Sequence, residues 1–313
     1  MASKPGNSLI YQIQESNKPN TLDVKEVGSS SAISSSYANL SPIVVKGQTY
    51  LLGYNSTANH LDIFEFSGAS PWLKAVPAKP KIQSGLSIIE PFTIGNRSDI
   101  AGYEPKKGIF YLYSVGDDLS LSKKPYEFFR NHEPSLTQGF TTLKSFTSFG
   151  QVVFLGYNGS NGYVALYTLS VTATSPPDSP PLLLTPAWAH NWAKGWTRFA
   201  FFQLGGENFF LKTNTDKPNV NIDHIMDGLS TGTAEVGTNL NLKDAQKLSI
   251  VQPFYLGNGD PYFVTYKSDG TVTLFRFHSD CLGWTQVAGL KSKSNASQMI
   301  PLATGGKLFL LIQ

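Results

Sequence analysis

The sequence predicts an all-β chain folded as a six-bladed β-propeller. Three observations carry this: a strand-rich composition, a phrase that recurs six times, and a last repeat that stops halfway. Of the 313 residues, 41% are hydrophobic and only 15% charged, enough for a large core but few charges to solvate long helices. The 20 Phe and 14 Tyr favour strands, while 28 Gly and 19 Pro mark frequent tight turns.

The phrase runs Pro42-Ile-Val-Val-Lys-Gly47, Pro91-Phe-Thr-Ile-Gly-Asn96, Ser145-Phe-Thr-Ser-Phe-Gly150, Phe201-Phe-Gln-Leu-Gly-Gly206, Pro253-Phe-Tyr-Leu-Gly-Asn258 and Pro301-Leu-Ala-Thr-Gly-Gly306, at spacings of 49, 54, 56, 52 and 48 residues. Each copy ends in a turn of residues that tolerate positive φ, and a second apolar strand follows, as at Tyr50–Tyr54 or Tyr262–Tyr266. After a polar loop comes a third strand, as at Leu61–Phe66 and Val272–Phe277, and then a weaker fourth that carries Trp72 or Trp284. Four strands in about 50 residues make a propeller blade. The expected blades cover about 37–80, 85–134, 139–194, 196–242 and 245–293, with a sixth from 295–313 joined to 8–28, all within one domain, 1–313.

The sixth repeat stops after its second strand, at Gln313. Its missing strands are expected from the N-terminus, Ser8–Gln14 and Thr21–Val27, which closes the ring and removes two open sheet edges. In the third repeat, Thr172-Ala-Thr-Ser-Pro-Pro-Asp-Ser-Pro-Pro181 is too Pro-rich to pair and reads as an exposed loop. Beside it, Trp188, Trp192 and Trp196 read as rim packing or as a ligand platform.

Aligning the repeats on Pro42/Pro91/Ser145/Phe201/Pro253/Pro301 separates constant from variable positions. Two before this column (Leu40, Ile89, Leu143, Phe199, Val251, Met299) and one after it (Ile43, Phe92, Phe146, Phe202, Phe254, Leu302), every residue is apolar and is expected to face neighbouring blades. Strand alternation then turns the intervening positions toward the central channel. These are Ser41, Glu90, Lys144, Ala200, Gln252 and Ile300 one before, and Asn39, Ile88, Thr142, Arg198, Ile250 and Gln298 three before. Such a set either solvates the channel or builds one asymmetric pocket. In the pocket reading, Glu90 and Lys144 on adjacent blades pair as acid and base, and Arg198 anchors a substrate oxygen. Gln252, Asn39, Thr142, Gln298 and Ser41 flank them, and the apolar members supply greasy walls. A recurrent Tyr closes the second strand (Tyr54, Tyr103, Tyr157, Tyr266). It is structural, or its hydroxyls rim the channel mouth.

Other chemistry is sparse. The five His (60, 132, 190, 224, 278) show no metal-ligand spacing, and His278-Ser-Asp280 with Cys281 reads as a hydrogen-bonded turn rather than a metal site. There is no nucleophile elbow, phosphate loop, dinucleotide fingerprint or Ca²⁺ loop, so neither metal nor cofactor is expected. The net charge of +3 is spread out, with Lys106-Lys107 and Lys123-Lys124 the densest pairs, which argues against nucleic-acid binding. Cys281 is alone, and five Asn-x-Ser/Thr triplets (at Asn39, Asn55, Asn96, Asn158 and Asn295) read as turn chemistry. With no apolar leader in Met1 to Asn20 and no run of about 18 apolar residues, a cytoplasmic protein without membrane contact is expected.

On its six repeats and split last blade, the chain resembles two groups of propellers. One is the fungal fucose-binding lectins; the other is the fungal propeller enzymes of secondary metabolism, such as the hetero-Diels–Alderases of tropolonic sesquiterpenoid pathways. The lectin resemblance implies sugar pockets between successive blades, each using an Arg, a carboxylate and an aromatic. The four Arg here (97, 130, 198, 276) fall at non-equivalent positions, which disfavours a multivalent lectin of that kind. The enzyme resemblance implies one channel pocket, although the lone Cys departs from the disulfides that group implies. The expected function is thus a cofactor-independent cyclase, pericyclase or lyase-type enzyme of natural-product biosynthesis, acting on a hydrophobic, oxygenated small molecule. A carbohydrate-binding propeller is the alternative, and a protein-interaction scaffold comes third.

Overall fold

In the computed structural model the chain forms six antiparallel sheets set as the blades of a ring. The structure describes residues 7–313 except 34–36, 38, 123–125, 131–132, 135, 172–181, 218–219, 227–228, 233–241, 243–244, 258 and 281–282. The Pro-rich loop, Lys123-Lys124, His132 and Cys281 therefore lie outside the described residues. Five sheets have four strands, and the second gains a two-residue fifth, Glu133–Pro134. Closure follows the expected split: the last sheet runs Leu22–Ser30, Ser8–Glu15, Lys307–Ile312, Met299–Thr304, with Tyr11 opposite Leu310. Among the described residues the one helical element is a 3₁₀ turn, Ala245–Lys247, and no helix is long and apolar enough to cross a membrane.

The innermost strands are Leu40–Val45, Ile88–Ile94, Thr142–Ser148, Trp196–Leu204, Leu248–Tyr255 and Met299–Thr304. Their free edges face the channel. Proline fits there because its missing N–H would otherwise point at the channel with no ladder partner. Four repeats use it. In blade three the position is Ser145, and its free amide is taken by Glu90 Oε1 of blade two at 3.0 Å.

The apolar columns are correctly placed against neighbouring blades, but they do not share a face. They are three residues apart, so the pleat turns them to opposite sides. Six apolar clusters show the consequence: Ile43 packs with Ile89, Phe92 with Leu143, Phe146 with Phe199, Phe202 with Val251, Phe254 with Met299, and Leu302 with Leu40. Each blade offers one column forward and the other back. The positions expected to look into the channel share the forward face, so their side chains cross toward the next blade along the channel wall. Asn39, Ser41, Glu90, Arg198 and Gln298 thus line the channel cavity while reaching across to the next blade, rather than pointing straight into it. Asn39 Nδ2 donates to Ile89 O (2.7 Å) and Arg198 Nε to Ser249 O (2.8 Å). Gln298 accepts from Leu40 N and donates to Tyr37 O, both at 2.7 Å.

The repeated tyrosines do not rim the channel, because their hydroxyls hold the linkers between blades. Tyr103 donates to Thr137 O (2.6 Å) and accepts from Phe140 N (3.2 Å). Tyr157 serves Ala193 O and Trp196 N in the same way, and Tyr266 serves Lys293 O and Ala296 N. Tyr54 is buried at the equivalent place, its hydroxyl beside the Leu86 amide without closing a bond. The linker side chain then seats on a glycine: a β-carbon at Gly156 would lie 2.4 Å from the Phe140 ring, and Gly102 and Gly53 receive Leu86 and Tyr37 likewise. Burial pushes the Tyr103 hydroxyl up to about 12. Tyr103→Phe leaves two linker groups without partners and is expected to cost about 1–3 kcal/mol in urea unfolding. An unchanged midpoint would show the clamp to be idle.

Candidate functional site

The channel encloses about 690 Å³ between the six innermost strands. Its mouth carries a ring the sequence reading stopped short of, one residue before the innermost polar column: Ser87, Thr141, Thr197, Ser249 and Ser297 all line the cavity. Backbone amides of the ring close the blade ladder, as Thr141 N does on Tyr157 O at 2.9 Å. The Thr141 hydroxyl is engaged by Tyr157 O and Gly159 N, that of Ser297 by Gln313 O and that of Thr197 by Arg198. Those of Ser87 and Ser249 make no hydrogen bond among the described residues. The signal was available as a hydroxyl residue in five of six repeats.

Below the ring the walls differ. Glu90, 8% exposed, accepts Lys144 Nζ at 3.1 Å on Oε2 and Ser145 N and Oγ on Oε1. Both carboxylate oxygens are engaged, so Glu90 fixes Lys144, whose side chain is 40% exposed. Arg198 is held by Ser249 O and by Thr197 Oγ1 at 3.0 Å, and among the described residues Nη2 makes no hydrogen bond. Asn39 and Gln298 line the cavity but spend their amides on the next blade, and Ser41 is buried near Ile89 O at 3.5 Å. Thr142 and Gln252 also line it, and among the described residues neither side chain makes a hydrogen bond. Of the expected greasy walls, Ile88, Ile250 and Ile300 reach the cavity, whereas Ala200 is sealed in the interface of blades four and five. The unspent groups therefore sit on blades three, four and five.

A second polar centre lies between blades three and four. In blade four the glycine seat becomes Lys212 and the clamp tyrosine becomes Thr213. Lys212 is 3% exposed and pairs with Asp223, 1% exposed, with its ammonium 3.9 Å over the Trp192 ring and 4.8 Å over Trp196. Burial pushes the Lys212 ammonium down and the Asp223 carboxyl up, each held back by the other. Trp192 and Trp196 thus enclose a cation of the chain itself, while Trp188 stacks on His190. Sequence reasoning missed the pair, although a Lys where three other blades have Gly was a visible signal.

A third feature is a cleft of about 240 Å³ between blade five and the closing hairpin, lined by residues 15–22 with Tyr262, Arg276 and Val287. Arg276 pairs with Asp260 and reaches Asn20 Oδ1 at 3.4 Å. Elsewhere, His278 Nε2 meets Thr285 Oγ1 at 2.8 Å across its turn. Among the described residues no three His, Cys, Asp or Glu side chains gather as metal ligands.

No protein-family model matches the chain, and no curated protein matches it. Solved structures do resemble it as folds. The SapL1 lectin in complex with alpha methyl fucoside is 12% identical over 88% of this chain and 87% of that one, with a TM-score of 0.55. A candidate 6-phosphogluconolactonase from Bacteroides fragilis is 16% identical, covering 100% of this chain and 89% of its own, with a TM-score of 0.54. An alpha-L-arabinofuranosidase from Clostridium thermocellum is 11% identical over 83% of this chain and 96% of its own, at 0.51. At such identities the likeness is one of fold.

Proposed function

We propose that the channel binds a small oxygenated molecule and that the protein acts on it as a cofactor-independent enzyme of the cyclase or lyase type. The observation that carries this is the one-sided wall: among the described residues the side chains of Thr142 and Gln252 make no hydrogen bond and Lys144 and Arg198 keep N–H groups beyond those they use, while Asn39 and Gln298 on the opposite blades are tied to the next blade by their amides. A ring that only solvated its channel has no reason to segregate its polar groups in this way. Lys144 is the proton donor or carbonyl polariser and Glu90 its positioning partner, rather than the two forming an exchanging acid–base pair. Binding folds the substrate against Ile88, Ile250 and Ile300 into a reactive conformer.

The test is to incubate the protein with a fractionated metabolite extract and follow consumption by mass spectrometry. A compound consumed by the wild type and spared by Lys144→Met supports the reading, with an expected loss of about two to four orders of magnitude in rate. Equal consumption by both removes Lys144 from the chemistry. Retention without consumption reduces the protein to a binding module.

A carbohydrate ligand is the second reading, and the cleft at Arg276 favours it. An Arg, a carboxylate and an aromatic meet there once, between two blades. A glycan array separates the two: signal that free sugar competes away and Arg276→Met removes assigns sugar binding to the cleft. A blank array retires it.

A further inference from the structure

We infer that the channel ligand is an oxyanion carried on a hydroxylated body, a sugar acid or a sugar phosphate in chemical class, with Arg198 as its counter-ion. This deepens the channel reading and rests on it. The charged side chains lining the cavity are Glu90, Lys144 and Arg198. Glu90 is matched by Lys144, which leaves the guanidinium as the uncompensated charge. Among the described residues no carboxylate pairs with Arg198; its partners are a carbonyl and a hydroxyl, Ser249 O and Thr197 Oγ1.

A partly buried cation without a counter-ion is costly, and nothing in the blade packing requires one at this position. The six repeats offer Asn39, Ile88, Thr142, Ile250 and Gln298 there, and Asn39 and Gln298 reach the next blade with neutral amides. Bridging therefore needs no charge. Burial also pushes the Arg198 guanidinium down from its ordinary value, with no neighbouring anion acting against it. Its two hydrogen bonds, through Nε and Nη1, hold the guanidinium plane, and among the described residues Nη2 makes none, which suits the fork by which Arg meets a carboxylate or phosphate. Thr197 of the hydroxyl ring is the adjacent residue and already touches the guanidinium. An oxyanion on Arg198 therefore places the rest of its molecule within the cavity that Ser87 and Ser249 line, the ring members with no hydroxyl hydrogen bond among the described residues. Lys144 on the neighbouring blade supplies a second, weaker attraction.

The test is calorimetry with three probes of similar hydroxyl content: gluconate for a carboxylate, glucose 6-phosphate for a phosphate, and glucitol with no charge. Either anion should bind, glucitol should bind about ten- to a hundredfold more weakly, and affinity should fall as salt rises. The better anion identifies the head group. Arg198→Gln keeps an amide for Ser249 O while removing the charge, and it should erase the preference for anions. Arg198→Lys should keep part of that preference, which guards against a fold defect in the first variant. Thr142→Val should weaken all binders alike. If anion and glucitol bind equally, with Arg198→Gln acting on neither preferentially, the charge assignment falls and the channel reading stands. If none of the three binds, the oxyanion inference is overturned, and the extract assay alone then decides the channel reading.

Discussion

Lys212→Met should destabilise the protein by about 3–5 kcal/mol, among the largest effects available to a single side chain here. Methionine keeps the stem against Trp192, so little packing is lost. What is lost is the cation facing Asp223, a carboxylate 1% exposed whose Oδ1 has no hydrogen-bond partner among the described residues. The variant's Asp223 then has desolvation acting on it without Lys212 to oppose it, so its folded pKa rises further. A group with a raised folded pKa gives stability that is present below its unfolded value and lost as pH rises through the folded one. The variant should therefore lie nearest the wild type in acid, below about pH 4, and fall away as pH increases. Lys212→Met with Asp223→Leu removes both charges and should recover much of the loss, because burying an ion pair brings little net stability. Denaturant midpoints across pH decide the matter. A single variant with a pH-independent loss below about 1 kcal/mol would mean that Asp223 reaches water.

That pair also shows where the sequence was legible and where it was not. The ring, its six repeats and the split closure follow from spacing and apolar alternation, because every blade solves the same packing problem and repeats the same answer. The meeting of Glu90 with Lys144 could be read from equivalent positions on adjacent blades. The face they occupy was misjudged, because the apolar residues two before and one after Pro42 or Pro91 were assigned to one side. An odd separation on a strand means two sides, and in a propeller both are interfaces. The tyrosines were ambiguous because a buried clamp and a channel hydroxyl predict the same recurrence. Only the linker atoms, such as Thr137 O and Phe140 N, tell them apart. Lys212 and Asp223 escaped notice because a search for shared columns passes over the blade that departs from them. Blade four departs at both the glycine and the tyrosine, and charge fills the gap.

Removing residues 1–30 should abolish the cooperative transition altogether. Ser8–Glu15 is the only described strand paired with Lys307–Ile312 on its outer side, from Leu9 opposite Ile312 to Ile13 opposite Leu308. Its loss bares that edge and uncovers two interfaces at once, since Ile10 belongs to the cluster between blades six and one, and Tyr11 and Ile13 to that between five and six. Ile10, Tyr11, Ile13 and Leu22 are each at most 8% exposed. At about 1.5–3 kcal/mol per buried side chain, these four alone rival the whole stability of an ordinary domain, about 5–15 kcal/mol. The bared edge also invites pairing between molecules, so the truncated chain should elute as soluble aggregate rather than monomer. A synthetic peptide of residues 7–30 separates closure from a general loss of core. Added in trans, it should restore a monomer and a single urea transition, because it returns both the edge partner and the four side chains. A truncated chain that stays monomeric and melts as before would show that the ring does not depend on the split blade.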